Sequence, residues 1–199
     1  PSQMFTAIDS VPLTAIAFFM LTGELMTSAT ITDRLVALSR ALIGRIRGGL
    51  AQVNVLVSMF FAGMNGSVVA DTATVGALVL PAMKKAGYPA AFSAAVTGVS
   101  STIGGIIPPS IMMIVLANAT EISIAALFAA GIIPGILIGV VIMVINHYFA
   151  VKYNFERSDQ PFSVRRAGKE LYRSSFALLI PLVLVGSVMG GVASVVEAG

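Results

Sequence analysis

The chain has 199 residues, 57% of them apolar and 11% charged, with a mean hydropathy of +0.94, no cysteine and no tryptophan. A soluble domain carries about 25% charge, so this composition excludes a water-soluble globule. The missing cysteines exclude a disulfide scaffold, thiol catalysis and cysteine-ligated metal. The net charge of +3 does not point to nucleic acid, because the 12 Lys and Arg fall in three clusters at 34–47, 84–85 and 152–173. Basic clusters bounding uncharged stretches are the footprint of membrane topology, in which cytoplasmic loops retain Lys and Arg.

Taken in order, residues 11–26 predict a first span, with Glu24 near its inner end. Residues 27–47 follow as an amphipathic helix lying along the cytoplasmic interface. There Ile31, Leu35, Leu38, Leu42 and Ile46 recur at helical spacing, and Arg34, Arg40, Arg45 and Arg47 lie off that stripe.

Residues 48–83 are long and apolar but hold Gly63, Asn65, Gly66, Ser67 and Asp71 near the middle. Read as one span, they would put Lys84 and Lys85 on the side opposite the four arginines. Read as a re-entrant helical hairpin, they return both ends to the cytoplasm and keep every basic cluster on one side. Each half also suits a helix of half-membrane depth.

Residues 86–120 predict one broken span, a discontinuous transmembrane helix, because Gly104, Gly105, Pro108 and Pro109 interrupt it. Residues 121–133 read as a short outer arm and 134–150 as a return span. Gly131, Gly135 and Gly139 repeat every fourth position there, a spacing suited to close helix packing. The charged segment 151–173 reads as a cytoplasmic loop, and 174–192 as a final outward span. All basic residues then face the cytoplasm, and the outer segments carry only Asp9, Glu121 and Glu197. The fold class is an all-α membrane protein. Beginning at Pro1 and stopping just after a span, the chain reads as a piece of a longer polypeptide.

Irregular backbone at membrane depth is tolerated only where protein or a watery cavity surrounds it. The two breaks, at 63–67 and 104–110, are therefore the site candidates. In secondary transporters interrupted helices meet near the midplane, where helix N-termini attract anions and freed carbonyls coordinate sodium. At the first break Asn65, Gly66 and Ser67 offer an amide, flexible backbone and a capping hydroxyl. Asp71 shares a helical face with Ser67, and a charge at that depth costs about 2.5 to 3.5 kcal/mol. Asn65, Gly66, Ser67 and Asp71 can supply oxygens to sodium; alternatively Asp71 caps a helix or pairs with a cation in an absent part. At the second break Ser100, Ser101 and Thr102 precede Gly104 and Gly105, and the carbonyls ahead of Pro108, Pro109 and Ser110 lose their helical donors. Thr102, Gly104 and Gly105 are assigned to the ion. Asn65, Ser67, Pro108, Pro109 and Ser110 are assigned to substrate. The alternative is a proline kink that only fits a packed neighbour.

His147 beside Tyr148 reads as an interfacial anchor, and Phe60 and Phe61 as packing. Glu24 reads as the partner of an arginine in the interfacial helix. No Ser/His or paired-carboxylate arrangement sets a nucleophile beside a base, so an enzyme is not predicted.

These residues carry a resemblance. The chain resembles the large membrane subunit of tripartite ATP-independent periplasmic (TRAP) transporters, the DctM-like permease. The matching motifs are Gly23-Glu24-Leu25-Met26, Gly44-Arg45-Ile46-Arg47-Gly48-Gly49-Leu50-Ala51 and Asn65-Gly66-Ser67-Val68-Val69-Ala70-Asp71. They continue with Ile103-Gly104-Gly105-Ile106-Ile107-Pro108-Pro109-Ser110, Leu127-Phe128-Ala129-Ala130-Gly131-Ile132-Ile133-Pro134-Gly135, and Gly190-Gly191 with Glu197. Order and spacing together make the match specific. The family's Phe-Thr-Pro-Thr-Glu pattern is replaced here by Ala193-Ser194-Val195-Val196-Glu197.

The resemblance implies most of the first inverted repeat of a transporter, hence an inverted-repeat transporter half. It implies import of a small organic anion, of the C4-dicarboxylate or sugar-acid class, coupled to transported sodium ions by an elevator-like movement. The implied partners are a periplasmic substrate-binding protein and a small membrane subunit, in the bacterial inner membrane. The rival readings are a related sodium- or proton-coupled symporter working without a binding protein, and a non-transporting membrane scaffold.

Overall fold

The computed structural model describes residues 16–17, 20–21, 31–43, 46–155 and 163–191, and among them every regular element is a helix. The span expected at 11–26 lies almost wholly outside the described residues, as do Glu24, Arg45, Ala193 and Glu197.

Helix α1 (Ile31–Ile43) has Asp33 in its first turn and Arg40 in its last, each favourable to the helix dipole. α2 (Gly49–Asn65) and α3 (Val68–Lys85) are joined by two residues whose chemistry enforces the turn. Gly66, at φ 58°, ends α2 with its amide donating to the Ala62 carbonyl at 3.3 Å. Ser67 is extended at φ −119° and caps α3 by accepting from the Ala70 amide at 3.3 Å. The two helices then pack side by side.

α3 closes in a Schellman motif, with Gly87 at φ +81° and the Tyr88 amide donating to Met83 at 3.0 Å. α4 (Ala90–Ser101) tightens into a 3-10 turn (Thr102–Gly105) and loses regular structure through Pro108 and Pro109, whose peptide bond is cis. α5 (Ile111–Thr120) resumes behind Ser110.

α6 (Ile124–Lys152) runs for 29 residues straight through Pro134. The sequence reading puts a boundary there, between an arm at 121–133 and a span at 134–150. The structure has none, because one proline removes a single ladder bond and the apolar helix continues on either side of it. α6 ends in a second Schellman motif, with Asn154 at φ 52° and the Phe155 amide donating to Ala150 at 3.0 Å. The two motifs deliver Tyr88 and Phe155 to one place, ring centroids 4.6 Å apart, with Phe92 5.1 Å from Phe155. α7 (Val164–Met189) starts inside the segment read as the loop 151–173. Two helices, Ile124–Lys152 and Ala167–Met189, are long and apolar enough to cross a membrane.

α2 is the centre. It carries no charged side chain, is buried on nearly every side, and packs on α1, α3, α4, α6 and α7, the environment proper to a helix apolar all round. Val53, Val57, Phe61, Met64, Val75, Val79, Met83 and Ile103 form the main core around it. α1 lies across α2 and the start of α7. Arg34 donates to the Arg173 carbonyl at 3.3 Å, and Ser174 donates to the Arg34 carbonyl at 3.2 Å. Because two helices cover α1, its buried face is Thr32, Leu35, Leu38 and Ser39, while Leu42 and Ile46 at the end of the predicted stripe are 40% and 41% exposed.

Candidate functional site

The two sequence breaks, far apart in the chain, touch. Gly66 lies so close to the second break that a Cβ there would strike the Pro109 carbonyl oxygen and the Ser110 Cα. The Ile111 amide donates to the Gly66 carbonyl at 3.2 Å. Gly104 faces the Ser67 and Val68 backbone, and Gly105 the Val68 side chain. Glycine at 66 is thus what lets backbone approach backbone, whereas a Cβ at Gly104 would make only ordinary contact.

The breaks are built alike. Ser67 and Ser110 are both extended, at φ −119° and −128°, and each hydroxyl accepts from the amide three residues on, Ala70 or Met113, at 3.3 Å. Ser110 also donates to the Gly105 carbonyl at 2.8 Å. Two helix N-termini, of α3 and α5, therefore open at one junction, each with the positive end of a helix dipole. Among the described residues the Val68, Val69 and Met112 amides meet no protein acceptor, and the carbonyls of Ile106, Ile107, Pro108 and Pro109 meet no donor.

Asn65 is buried, and its Oδ1 accepts from the Ser67 amide at 3.1 Å. A backbone N–H needs an oxygen there, so the amide orientation is settled and the unpartnered atom is Nδ2, a donor. Pro108 and Pro109 are buried within the break. Thr102 stands apart: its side chain is exposed, and its hydroxyl donates to Val99 in its own turn at 2.7 Å.

Asp71 is completely buried and neither carboxylate oxygen has a hydrogen-bond partner. The Ser67 hydroxyl, not Asp71, caps α3. The carboxylate instead faces the hydroxyls of Ser58 on α2 and Ser101 on α4. Chemically, the junction combines amide donors suited to an anion with carbonyl and hydroxyl oxygens suited to a hard cation.

Residues 1–199 match the family model described as the DctM component of the tripartite ATP-independent periplasmic transporter. The chain belongs to this family. It is 38% identical over 197 residues to the sialic acid TRAP transporter permease protein SiaT of Haemophilus influenzae, covering 98% of this chain and 32% of that protein. It is 36% identical over 196 residues to two further relatives, each match covering 98% of this chain and 46% of the relative. They are the sialic acid TRAP transporter large permease protein SiaM of Vibrio cholerae and the C4-dicarboxylate TRAP transporter large permease protein DctM of Pseudomonas aeruginosa. The chain thus spans less than half of the length of these relatives.

Within this DctM-family chain, Phe61 is a core side chain, as read from sequence. Sequence reasoning missed Asn54, Ser58 and Thr97. All are buried and hydrogen-bonded to one another or to Ser100. The signal was present: Asn54 and Ser58 lie four apart on a mostly apolar helix, and Thr97 and Ser101 are likewise four apart, which puts each pair on one face.

Proposed function

We propose that the chain is part of the membrane permease of a sodium-coupled transporter that carries a small carboxylate into a bacterial cell. The observation that carries this is the meeting of two helix breaks, each opening onto a serine-capped N-terminus. Opposed N-termini concentrate amide donors and partial positive charge on one small volume, which favours a carboxylate over a neutral or cationic solute.

The carboxylate is held by the Asn65 Nδ2 group, the free amides at the starts of α3 and α5, and the Ser67 hydroxyl, with Pro108 and Pro109 shaping the wall and Ser110, its proton given to the Gly105 carbonyl, fixing the backbone of the second break. Asn65 serves the anion better than the cation, because its oxygen is already taken by the Ser67 amide. Sodium is held by oxygens around Gly66, Gly104 and Gly105, by the free carbonyls of the second break, and by Asp71. Thr102, exposed and bonded within its own turn, belongs to the outer edge of that region. The named relatives, one for C4-dicarboxylate and two for sialic acid, support a carboxylate as cargo. A periplasmic binding protein delivers it, a small membrane subunit completes the complex in the inner membrane, and the re-entrant hairpin moves with its cargo in an elevator-like step.

The complete transporter in liposomes tests this. Uptake of labelled carboxylate is expected to require both an inward sodium gradient and the binding protein. Uptake that persists when either is omitted rejects the coupled three-part reading.

A further inference from the structure

Helix α7 has two faces that differ in kind. Ala167, Ser174, Ala177 and Leu184 recur at helical spacing and are all buried, and this face packs on α1, α2 and α6. The opposite face changes along its length. Arg165 and Lys169 come first, one turn apart and exposed; Tyr172 and Phe176 follow, 83% and 71% exposed; Leu179 and Val183 come last, 55% and 57% exposed. Charged, then aromatic, then aliphatic is the order in which a bilayer presents phosphate, interface and hydrocarbon to a crossing helix. At about 1.5 Å per residue the stripe from Arg165 to Val183 advances about 27 Å along the axis. It therefore reaches from headgroup level deep into the hydrocarbon core.

The charges on this stripe are of one sign. Glu170, the acidic residue of α7, has a side chain only 18% exposed on the packed side, and pairs with Arg173 at 3.5 Å. Among the described residues Arg165 and Lys169 form no ion pair. Arg34 of α1 adds a third exposed cation beside them, because its guanidinium donates to the Arg173 carbonyl at 3.3 Å, on the same part of α7. A protein partner fits this surface poorly, since lysine is depleted from protein interfaces and unpaired charge is kept out of their centres. A lipid headgroup fits it well: guanidinium and ammonium groups both hold phosphate, and the stems of Arg and Lys lie along apolar surface while their heads stay in water.

We infer that the first turns of α7, with Arg34 of α1, form a docking surface for anionic phospholipid headgroups. Arg165, Lys169 and Arg34 take the phosphate, and Tyr172 and Phe176 sit at the level where headgroup meets acyl chain. The Ser174 hydroxyl donates to the Arg34 carbonyl at 3.2 Å, so the bound lipid fixes the depth of both helices. The inference requires α7 to cross the membrane and is independent of the sodium and carboxylate reading.

The test uses the complete permease in phosphatidylcholine vesicles, with Leu179→Cys carrying a bimane fluorophore and any thiol outside these residues replaced by serine. A small fraction of spin-labelled phosphatidylglycerol, or in a parallel sample spin-labelled phosphatidylcholine, quenches the bimane according to its local concentration. Each basic residue at the surface favours an anionic lipid about fivefold, so phosphatidylglycerol is expected to be enriched at least fivefold over phosphatidylcholine. Arg165→Gln with Lys169→Gln brings the ratio close to one, and Arg34→Gln lowers it severalfold. Arg165→Lys with Lys169→Arg, which keeps the charge, keeps the enrichment, as does Lys84→Gln with Lys85→Gln on another part of the chain. High salt lowers it. Inorganic phosphate at matched ionic strength leaves it unchanged; displacement by phosphate would make this a free-phosphate site and overturn the lipid assignment. Equal quenching by the two lipids in the wild type overturns the selectivity. Quenching by neither shows the face covered by protein and overturns the proposal outright. Enrichment that survives Arg165→Gln with Lys169→Gln removes these residues from it. Should that double variant fail to fold, Lys169→Gln alone, expected to lower the ratio about fivefold, decides.

Discussion

Gly66 and Gly87 both adopt the left-handed conformation, at φ +58° and +81°, yet only Gly66 is crowded. Around Gly87 nothing lies within 4 Å of an added Cβ, whereas at Gly66 that atom meets the Pro109 carbonyl and Ser110. Gly87→Ala is therefore expected to cost about 1 kcal/mol, the left-handed penalty alone. Gly66→Ala adds overpacking between two backbones, for about 3 kcal/mol in all, and forces the breaks apart. Chemical denaturation of the two variants checks the difference, and equal losses would refute the close approach. The same contrast marks what the sequence could reveal. A glycine flanked by Asn65 and Ser67 in an apolar run is legible as a break. That it rests on Pro109, more than forty positions away, is not. Asp71 is similar: its buried carboxylate stands out in the sequence, but its neighbours Ser58 and Ser101 belong to two other helices.

Along α6, three glycines at a spacing of four predict close packing, and the structure assigns each a different neighbour. An added Cβ at Gly131 would strike the Ile106 carbonyl oxygen, at Gly135 the Ile107 side chain, and at Gly139 the flexible end of Met59. α6 is thus the wall against which the second break is set, and its glycines are unequal. Gly139→Ala displaces only a methionine tail and gains helix propensity of about 1 kcal/mol, so its stability stays close to wild type. Gly131→Ala pushes on backbone in the break, and its melting temperature is expected to fall by several degrees. A thermal melt of both variants decides it; a fall in Gly139→Ala as large as that in Gly131→Ala would contradict the assignment. Helix type and approximate position are legible in these segments because glycine, proline and serine act locally. The continuity of α6 through Pro134 is not, since a proline both ends helices and survives within apolar ones.

The arrangement of the chain in a bilayer makes a further prediction. If 48–83 enters and leaves on one side, Arg47 and Lys84, both exposed, share an aqueous compartment. The chain has no cysteine, so Arg47→Cys and Lys84→Cys each add the only thiol of these residues. Both are expected to react with a membrane-impermeant maleimide from the cytoplasmic face alone. Labelling of the two from opposite faces would remove the re-entrant reading and the site built on it.

Composition and the placement of charge were enough to mark this chain as a set of apolar helices with two irregular segments, because the cost of burying charge and unpaired backbone in hydrocarbon acts on each stretch separately. Which helix sits at the centre, that the two irregular segments meet, and that Asn54 of α2 bonds to Thr97 and Ser100 of α4 came only from the folded arrangement. Those relations join residues that no local rule connects, and packing among helices selects them.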